Sequence, residues 1–318
     1  MQKYILSRIG QAGLVLLAAF TVAFVLLQLL PADGVLIKFL SPELGLTPEQ
    51  LAEIRVAYGA DVSVVRQYLD SLIAFLSGDF GYSVRAGVPV SSLLAATLPV
   101  TLKLAAIAFL VSAILAFAIA WVATLSPFRW LREALYSLPA LLISIPVFWL
   151  GIVLIQIFSF ELRLIPVINP GPWQSLILPV IAIAAPISAP LAQILLRSID
   201  EVKTRPFVAV ARAKGASRRG VLSRHVLGNA ILPVLTIGGV LFGELVAGAV
   251  VTETVFGLNG IGSLTYLSVN SQDVPVLQAI VLISALGFVL INLIVDLLYP
   301  VFDPRLRDFA RTEVGART

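Results

Sequence analysis

The chain has 318 residues, of which 59% are hydrophobic and 13% charged, and its mean hydropathy is +0.99. Soluble domains carry about 25% charged residues, so this composition predicts an integral membrane protein. The absence of cysteine excludes disulfides and thiol chemistry, and the single histidine, His225, excludes a histidine-rich metal site. The net charge of +4 is small, and the positions of the charges are more informative than their sum.

Six segments of the chain are apolar enough to cross a membrane, which needs about 20 predominantly apolar residues. The first apolar run is longer than the signal-peptide core of about 7–15 residues, so we expect a retained helix. Six spans place both termini on the same side of the membrane. The predicted spans are Ile9–Leu30, Leu98–Leu125, Leu135–Phe158, Leu176–Leu196, Ala230–Val255 and Val276–Phe302.

The basic residues predict which side that is. Sixteen of the 22 Lys and Arg residues fall in the N-terminus, the loop between the second and third spans, residues 197–224 and the C-terminal tail. Lys and Arg accumulate on the cytoplasmic side of membrane proteins. The predicted fold class is therefore an all-α integral membrane protein with six transmembrane helices and both termini in the cytoplasm.

Residues 31–96 then form an extracytoplasmic loop between the first two spans, and its sequence predicts two helices. Thr47 is a candidate N-cap, followed by a proline at the first helical position and a glutamine at the third. This helix should end at Gly59, and a second, with one apolar face, should begin near Asp61 or Ser63 and end at a glycine-rich stretch. The pair either lies on the outer leaflet or forms a platform for an external partner.

The fourth span contains three prolines, Pro179, Pro186 and Pro190. Each proline removes a backbone donor and disfavours a straight helix. Carbonyl groups left without partners in lipid need protein or water around them. This span therefore either lines a translocation path or uses its prolines only for packing.

Few ionisable residues lie within the predicted spans, where a charge costs about 2.5–3.5 kcal/mol on insertion scales. Glu244, inside the fifth span, is part of a translocation path, a proton relay or a structural contact between helices. Glu253 and Asp296 lie nearer the membrane surface, and for them we favour the structural role. Lys103 lies in the outer part of the second span and also needs a partner.

The most basic segment between two spans is Arg205–Arg224, which has six basic residues and no carboxylate. Gly215 divides it into two potential short helices. Such a segment binds anionic lipid headgroups or places an amphipathic helix in the groove of a partner protein. The sequence contains no HExxH, GxSxG or phosphate-loop motif, so we expect no catalytic residue, ATP site or nucleic-acid partner in this chain.

The pattern Ala209-Val210-Ala211-x3-Gly215-x9-His225-x-Leu227 resembles the EAA loop of permease subunits in binding-protein-dependent ABC importers. The stretches LTPEQLAEIRVAYG, VARAKGAS, GNAILPVLTIGG and YPVFDPRLR resemble the dipeptide, oligopeptide and nickel subgroup of this family, in the same order. Two positions depart from the general loop pattern. Ala209 replaces the glutamate, which removes a carboxylate that would face the ATPase, and Gly228 replaces a proline.

The resemblance implies that residues 1–318 form a single transmembrane domain in the bacterial cytoplasmic membrane. Its partners would be a second homologous permease, two cytoplasmic ABC ATPases that bind ATP and Mg, an extracytoplasmic substrate-binding protein and membrane lipid. This chain would hold no cofactor or metal and would not be an enzyme. The cargo would be short peptides, with a nickel chelate, glutathione or an opine as alternatives.

The resemblance also assigns residues 200–229 to a cytoplasmic coupling loop. The implied coupling residues are Ala209, Val210, Ala211, Arg212, Ala213, Lys214 and Gly215. Glu244, Pro186 and Pro190 remain candidates for the translocation path.

Two other functional classes stay open from the sequence. An ion-coupled secondary transporter would use Glu244 as its proton-linked residue, and its transport would collapse with an uncoupler. A membrane-embedded scaffold without transport agrees less well with the basic segment and the proline-rich span.

Overall fold

The computed structural model describes residues 2–28, 63–168 and 170–302, and these ranges are helical, with no strand. Helices satisfy their own backbone hydrogen bonds, which apolar segments in lipid require. Two π-helical stretches, Ile155–Glu161 and Leu222–Val226, continue the fifth and eighth helices. We number the helices α1 (Gln2–Gln28), α2 (Val64–Leu76), α3 (Val90–Leu125), α4 (Arg129–Ser144), α5 (Val147–Leu154), α6 (Gln174–Lys203), α7 (Pro206–Ala213), α8 (Arg218–Val221), α9 (Leu227–Ala247), α10 (Ala249–Phe256), α11 (Ile261–Asn270) and α12 (Val274–Phe302).

Five helices in the described ranges are long and apolar enough to cross a membrane, or six when α4 and α5 count as one broken span. The helices predicted from Leu98, Leu176 and Val276 are continuous, and the one from Ile9 is helical to Gln28. α3 begins at Val90, so the predicted loop 31–96 ends earlier than expected.

The third predicted span, Leu135–Phe158, is wrong as one straight helix. The chain bends by 93° between α4 and the helical segment that begins with α5. Ile145 and Pro146, at the bend, both have extended backbone, with ψ angles of 117° and 131°. A proline disfavours the helical conformation in the residue before it, so α4 ends at Ser144 and a new helix begins at Val147.

The fifth predicted span, Ala230–Val255, is also interrupted, because Gly248 separates α9 from α10. A Cβ atom at position 248 would lie 2.9 Å from the carbonyl oxygen of Glu244. Real Cβ atoms do not approach backbone this closely, so only glycine fits the turn. As a result Glu244 lies in α9 and Glu253 in α10.

The described chain divides into two compact units. One contains the described parts of Thr101–Leu258 and of the chain from Leu290 onward, and the other contains the described parts of Gln2–Val100 and Asn259–Val289. In the first unit α6 packs against α4, α5 and α9. Small side chains such as Ala120 of α3 and Ala192 of α6 lie in its core, and small residues let membrane helices approach closely.

The second unit confirms the predicted helix in the loop after the first span. α2 follows Ser63 and ends just before three glycines, Gly78, Gly81 and Gly87, whose φ angles are +80°, +70° and +68°. These left-handed conformations suit glycine and stop a helix. The helix predicted from Thr47 lies outside the described residues.

A buried carboxylate fixes the segment between α2 and α3. Asp273, just before α12, accepts hydrogen bonds from the hydroxyl of Ser83 and from the backbone amides of Val84 (3.1 Å) and Arg85 (3.0 Å). Its side chain is almost fully buried. The carboxylate therefore ties the end of this segment to the start of the last helix, within the same unit.

Candidate functional site

The basic segment forms the two short helices α7 and α8, as its central glycine predicted. Pro206 begins α7, where its fixed φ suits the helix and its missing N–H leaves no donor unsatisfied. Ser217 precedes α8, and its hydroxyl accepts a hydrogen bond of 3.1 Å from the amide of Gly220. A hydroxyl in this position is a standard N-cap. Both helix starts are therefore encoded locally.

Gly215 makes the turn between these helices with a φ of +83°. Its amide donates to the carbonyl of Arg212 (3.0 Å), and the amide of Ala216 donates to the carbonyl of Ala211 (3.1 Å). These paired bonds define a Schellman motif, which satisfies the last carbonyl groups of a helix and usually requires glycine. Gly215 thus sets the direction in which the chain leaves α7.

One face of the α7–α8 loop is anchored in the core of the first unit. Its buried apolar side chains belong to the same cluster as those of α6 and α9, and close packing of this kind transmits displacement. These side chains were not predicted from the sequence to be buried in the core, although the recurrence of apolar residues within a basic segment indicates a buried face. The anchors are Val208, Val221, Leu222 and Val226.

The opposite face of α7 is open. Phe207 is 45% exposed and Val210 is 53% exposed. Of the seven predicted coupling residues, Ala211 is buried and the other six are exposed. The exposed basic groups in α7 and at its C-cap are Arg212 and Lys214, and Arg205 is paired with Glu201 at 2.9 Å. The loop therefore presents apolar side chains beside positive charge, a surface suited to an acidic or amphipathic protein partner.

The predicted path residues lie on two neighbouring helices. α6 is continuous through all three of its prolines. Pro186 and Pro190 are half-buried, and α9, which carries Glu244, packs along α6. Glu244 itself is exposed on the isolated chain. A role for these residues in a translocation path stays a prediction.

Two other charges within the predicted spans have partners. The hydroxyl of Thr101 donates a hydrogen bond of 2.6 Å to Oε1 of Glu253, which is fully buried, and this bond connects α3 with α10. The Nζ atom of Lys103 lies 4.2 Å from the ring centre of Trp173, a cation–π contact. These contacts support the structural role favoured for Glu253. The side chain of Asp296 lies outside the described part.

An apolar cavity of about 470 Å³ lies between α3, α6, α9 and the described end of α12. Phe109, Leu195, Phe242 and Ile291 are among its lining residues, and the lining contains no polar side chain. Pro186, Pro190 and Glu244 do not line it. Recognition of charged groups needs convergent polar groups, which this cavity lacks.

Comparison with known proteins identifies the family. Residues 116–308 match the family described as binding-protein-dependent transport system inner membrane component, and residues 1–105 match the N-terminal region of the same membrane components. The chain belongs to this family. It is therefore a multi-pass protein of the bacterial inner membrane and a permease subunit of an ABC importer, a transport subunit and not an enzyme. The family description places its members in transport systems that depend on a binding protein.

Named relatives match nearly the full chain. A Brucella abortus (strain 2308) protein, provisionally named as a peptide transport system permease, is 36% identical over 315 residues, which cover 96% of this chain and 99% of that protein. The glutathione transport system permease protein of Salmonella choleraesuis (strain SC-B67) is 35% identical over 307 residues, with 96% and 99% covered. A chain of the inward-facing MetNI methionine ABC transporter matches with a TM-score of 0.55 at 15% identity, covering 67% of this chain and 97% of that one. This last likeness shows the shared fold.

Proposed function

We propose that this permease carries short peptides, di- or oligopeptides, across the inner membrane together with a second, homologous permease subunit. Relatives named for peptide and glutathione transport, matched over 96% of this chain, support a peptide-like cargo. Glutathione, a nickel chelate and an opine are the alternative cargoes. The wholly apolar cavity supports a division of labour in which the substrate-binding protein supplies most of the selectivity.

The proposed topology has six spans, with α4 and α5 forming one broken span, and both termini in the cytoplasm. The concentration of Lys and Arg in the N-terminus, in residues 197–224 and in the C-terminal tail supports this orientation. The segment between α1 and α3 then lies on the outer side of the membrane, where the binding protein docks. Residues 1–318 act as one transmembrane domain, which is supported by relatives named as single permease proteins that match 96% of this chain.

The α7–α8 loop, within residues 200–229, is the proposed docking element for one of two ATPase subunits, which hold the ATP and Mg. The observation that carries this role is the division of α7 into an exposed apolar and basic face and a face buried against α6 and α9. An ATPase that displaces the loop displaces those helices with it, which is the rigid-body motion that alternating access needs. Ala209 offers no carboxylate, so Arg212 and Lys214 supply the polar contacts.

One double variant and one single variant in α7 separate docking from folding. The double variant Phe207→Ser with Val210→Ser changes only exposed side chains, so we expect loss of ATPase co-purification and transport with an unchanged unfolding temperature. Val208 is fully buried, so Val208→Ser places a hydroxyl group in an apolar core and should lower the unfolding temperature of the chain. Full ATPase association and normal transport in the double variant would refute the docking role.

A further inference from the structure

Helix α2 has an apolar stripe that no described part of the chain covers. Val65, Leu69, Ile73 and Leu76 are 70%, 49%, 65% and 79% exposed. Their spacing of four, four and three residues places them on one side of the helix. An exposed stripe of this length in a membrane protein needs an apolar environment.

The adjoining face of α2 is held against α1. The ring of Tyr68 lies 5.4 Å from that of Phe20 and 5.3 Å from that of Phe24, and the ring of Phe75 lies 5.9 Å from that of Phe20. The hydroxyl oxygens of Thr21 and Tyr68 are 2.8 Å apart. These contacts fix α2 at one level along α1.

The polar residues of α2 lie on its other side. Arg66 and Asp70 form an exposed ion pair at 3.8 Å, and Gln67 lies beside them. At 3.6 residues per turn, the order around the helix is the α1-contacting aromatic residues, then the apolar stripe, then the polar residues. The apolar half of α2 is therefore continuous, and only part of it is used against α1.

The contacts with α1 also give the depth of α2. The apolar span of α1 runs to Leu27, and at 1.5 Å per residue Phe24 and Phe20 lie about 5 and 10 Å inside that end. α2 therefore touches α1 at the level of the hydrocarbon. Val22 and Val25 of α1 are 56% and 48% exposed, so α1 also has exposed apolar side chains at this level.

We propose that α2 is an interfacial helix whose stripe Val65, Leu69, Ile73 and Leu76 is covered by the acyl chains of the leaflet at the C-terminal end of α1. The Arg66–Asp70 side then faces the headgroups and water, the arrangement that amphipathic helices adopt in a membrane surface. The sequence left two roles open for this helix, an anchor on the leaflet or a platform for an external protein. Acyl chains against the stripe make it the anchor. It depends neither on the cargo nor on the ATPase contact.

The natural absence of cysteine makes a direct test simple. Leu69→Cys and Ile73→Cys place a single thiol on the stripe, and Asp70→Cys, at a side chain that is 68% exposed, places one on the polar side as the matched control. Each full-length variant is labelled with an environment-sensitive fluorophore and reconstituted in phosphatidylcholine liposomes. Quenching is then measured with nitroxide-labelled acyl chains and, separately, with aqueous iodide.

We expect the nitroxide lipid to quench the two stripe positions several-fold more strongly than position 70, and iodide to show the reverse order. Stripe positions that iodide quenches as strongly as position 70 would overturn the proposal in favour of a water-facing platform. Stripe positions shielded from both quenchers, in liposomes that also contain the co-purifying subunits, would overturn it in favour of a protein partner.

Discussion

Gly215 holds the turn between α7 and α8 at a φ of +83°, and no atom lies within 4 Å of a Cβ placed there. A side chain at this position therefore meets backbone strain and no steric clash. We expect Gly215→Ala to destabilise the turn by about 1 kcal/mol. Gly215→Asn should cost less, because asparagine tolerates the left-handed region. Thermal unfolding of the purified chain measures both effects.

Gly228→Ala is the matched control for this prediction. Gly228 has equally open surroundings but lies inside α9 without a left-handed φ. Alanine is the better helix former by about 1 kcal/mol, so this variant should be neutral or more stable. Equal losses in Gly215→Ala and Gly228→Ala would contradict the strain argument.

Loss of the Asp273 carboxylate should destabilise the second unit. Its carboxylate accepts three hydrogen bonds, from Ser83, Val84 and Arg85, and is buried. Asp273→Asn removes the negative charge and places an NH2 group, itself a donor, against groups that also donate. We therefore expect the free energy of unfolding to fall by about 1.5–3 kcal/mol. Differential scanning fluorimetry in detergent measures it. Asp70→Asn, at an exposed ion pair, is the control and should shift the unfolding temperature little. Equal shifts for the two variants would contradict a stabilising role of the buried Asp273 carboxylate.

The residue scale shows which contacts the sequence can predict. The Gly215 turn follows from local chemistry, since one glycine separates two amphipathic stretches. The bond between Ser83 and Asp273 joins positions 190 residues apart, and that between Thr101 and Glu253 joins positions 152 apart. No local pattern reports such pairs, because they form only when distant helices pack.

At the scale of elements, apolar length predicted where helices lie but not where they bend. The residues immediately before and after Pro146 and Gly248 are mostly apolar, so the third and fifth spans looked continuous although both are interrupted. α6 shows the converse, because its three prolines lie inside one continuous helix, as the single predicted span requires. Whether a helix is interrupted at such a residue depends on how the segments before and after it pack against neighbouring helices.

The packing of α5 on α10 provides an element-scale prediction. A Cβ at Gly151 of α5 would lie 3.1 Å from the ring of Phe256 at the end of α10. Gly151→Val therefore pushes the two helices apart, and overpacking typically costs about 1–3 kcal/mol. Gly13→Val in α1, where nothing lies within 4 Å, is the control. Thermal unfolding should separate the two variants, and an unchanged Gly151→Val protein would show that the ring gives way freely.

At the scale of the whole molecule, composition alone indicated a membrane protein, and the order of short motifs pointed to the family that the comparisons then showed. The cargo was harder to predict, because the described cavity has no polar side chain that would indicate the chemistry of a ligand. If the α7–α8 loop docks an ATPase as proposed, the energy source of transport lies in another subunit. This separation leads to a prediction about coupling.

Transport by the complete complex should depend on ATP and not on the proton gradient. We expect vesicles containing this permease, its partner subunits and the binding protein to accumulate a labelled dipeptide only when ATP is supplied, with no loss on addition of an uncoupler. Glu244→Gln removes the one charge that a proton-coupled mechanism would use, and it should leave the ATP requirement unchanged even if the rate alters. Uptake without ATP that collapses with the uncoupler or in Glu244→Gln would restore the ion-coupled alternative. ATP-driven uptake of glutathione or a nickel chelate, without the dipeptide, would refute only the proposed cargo.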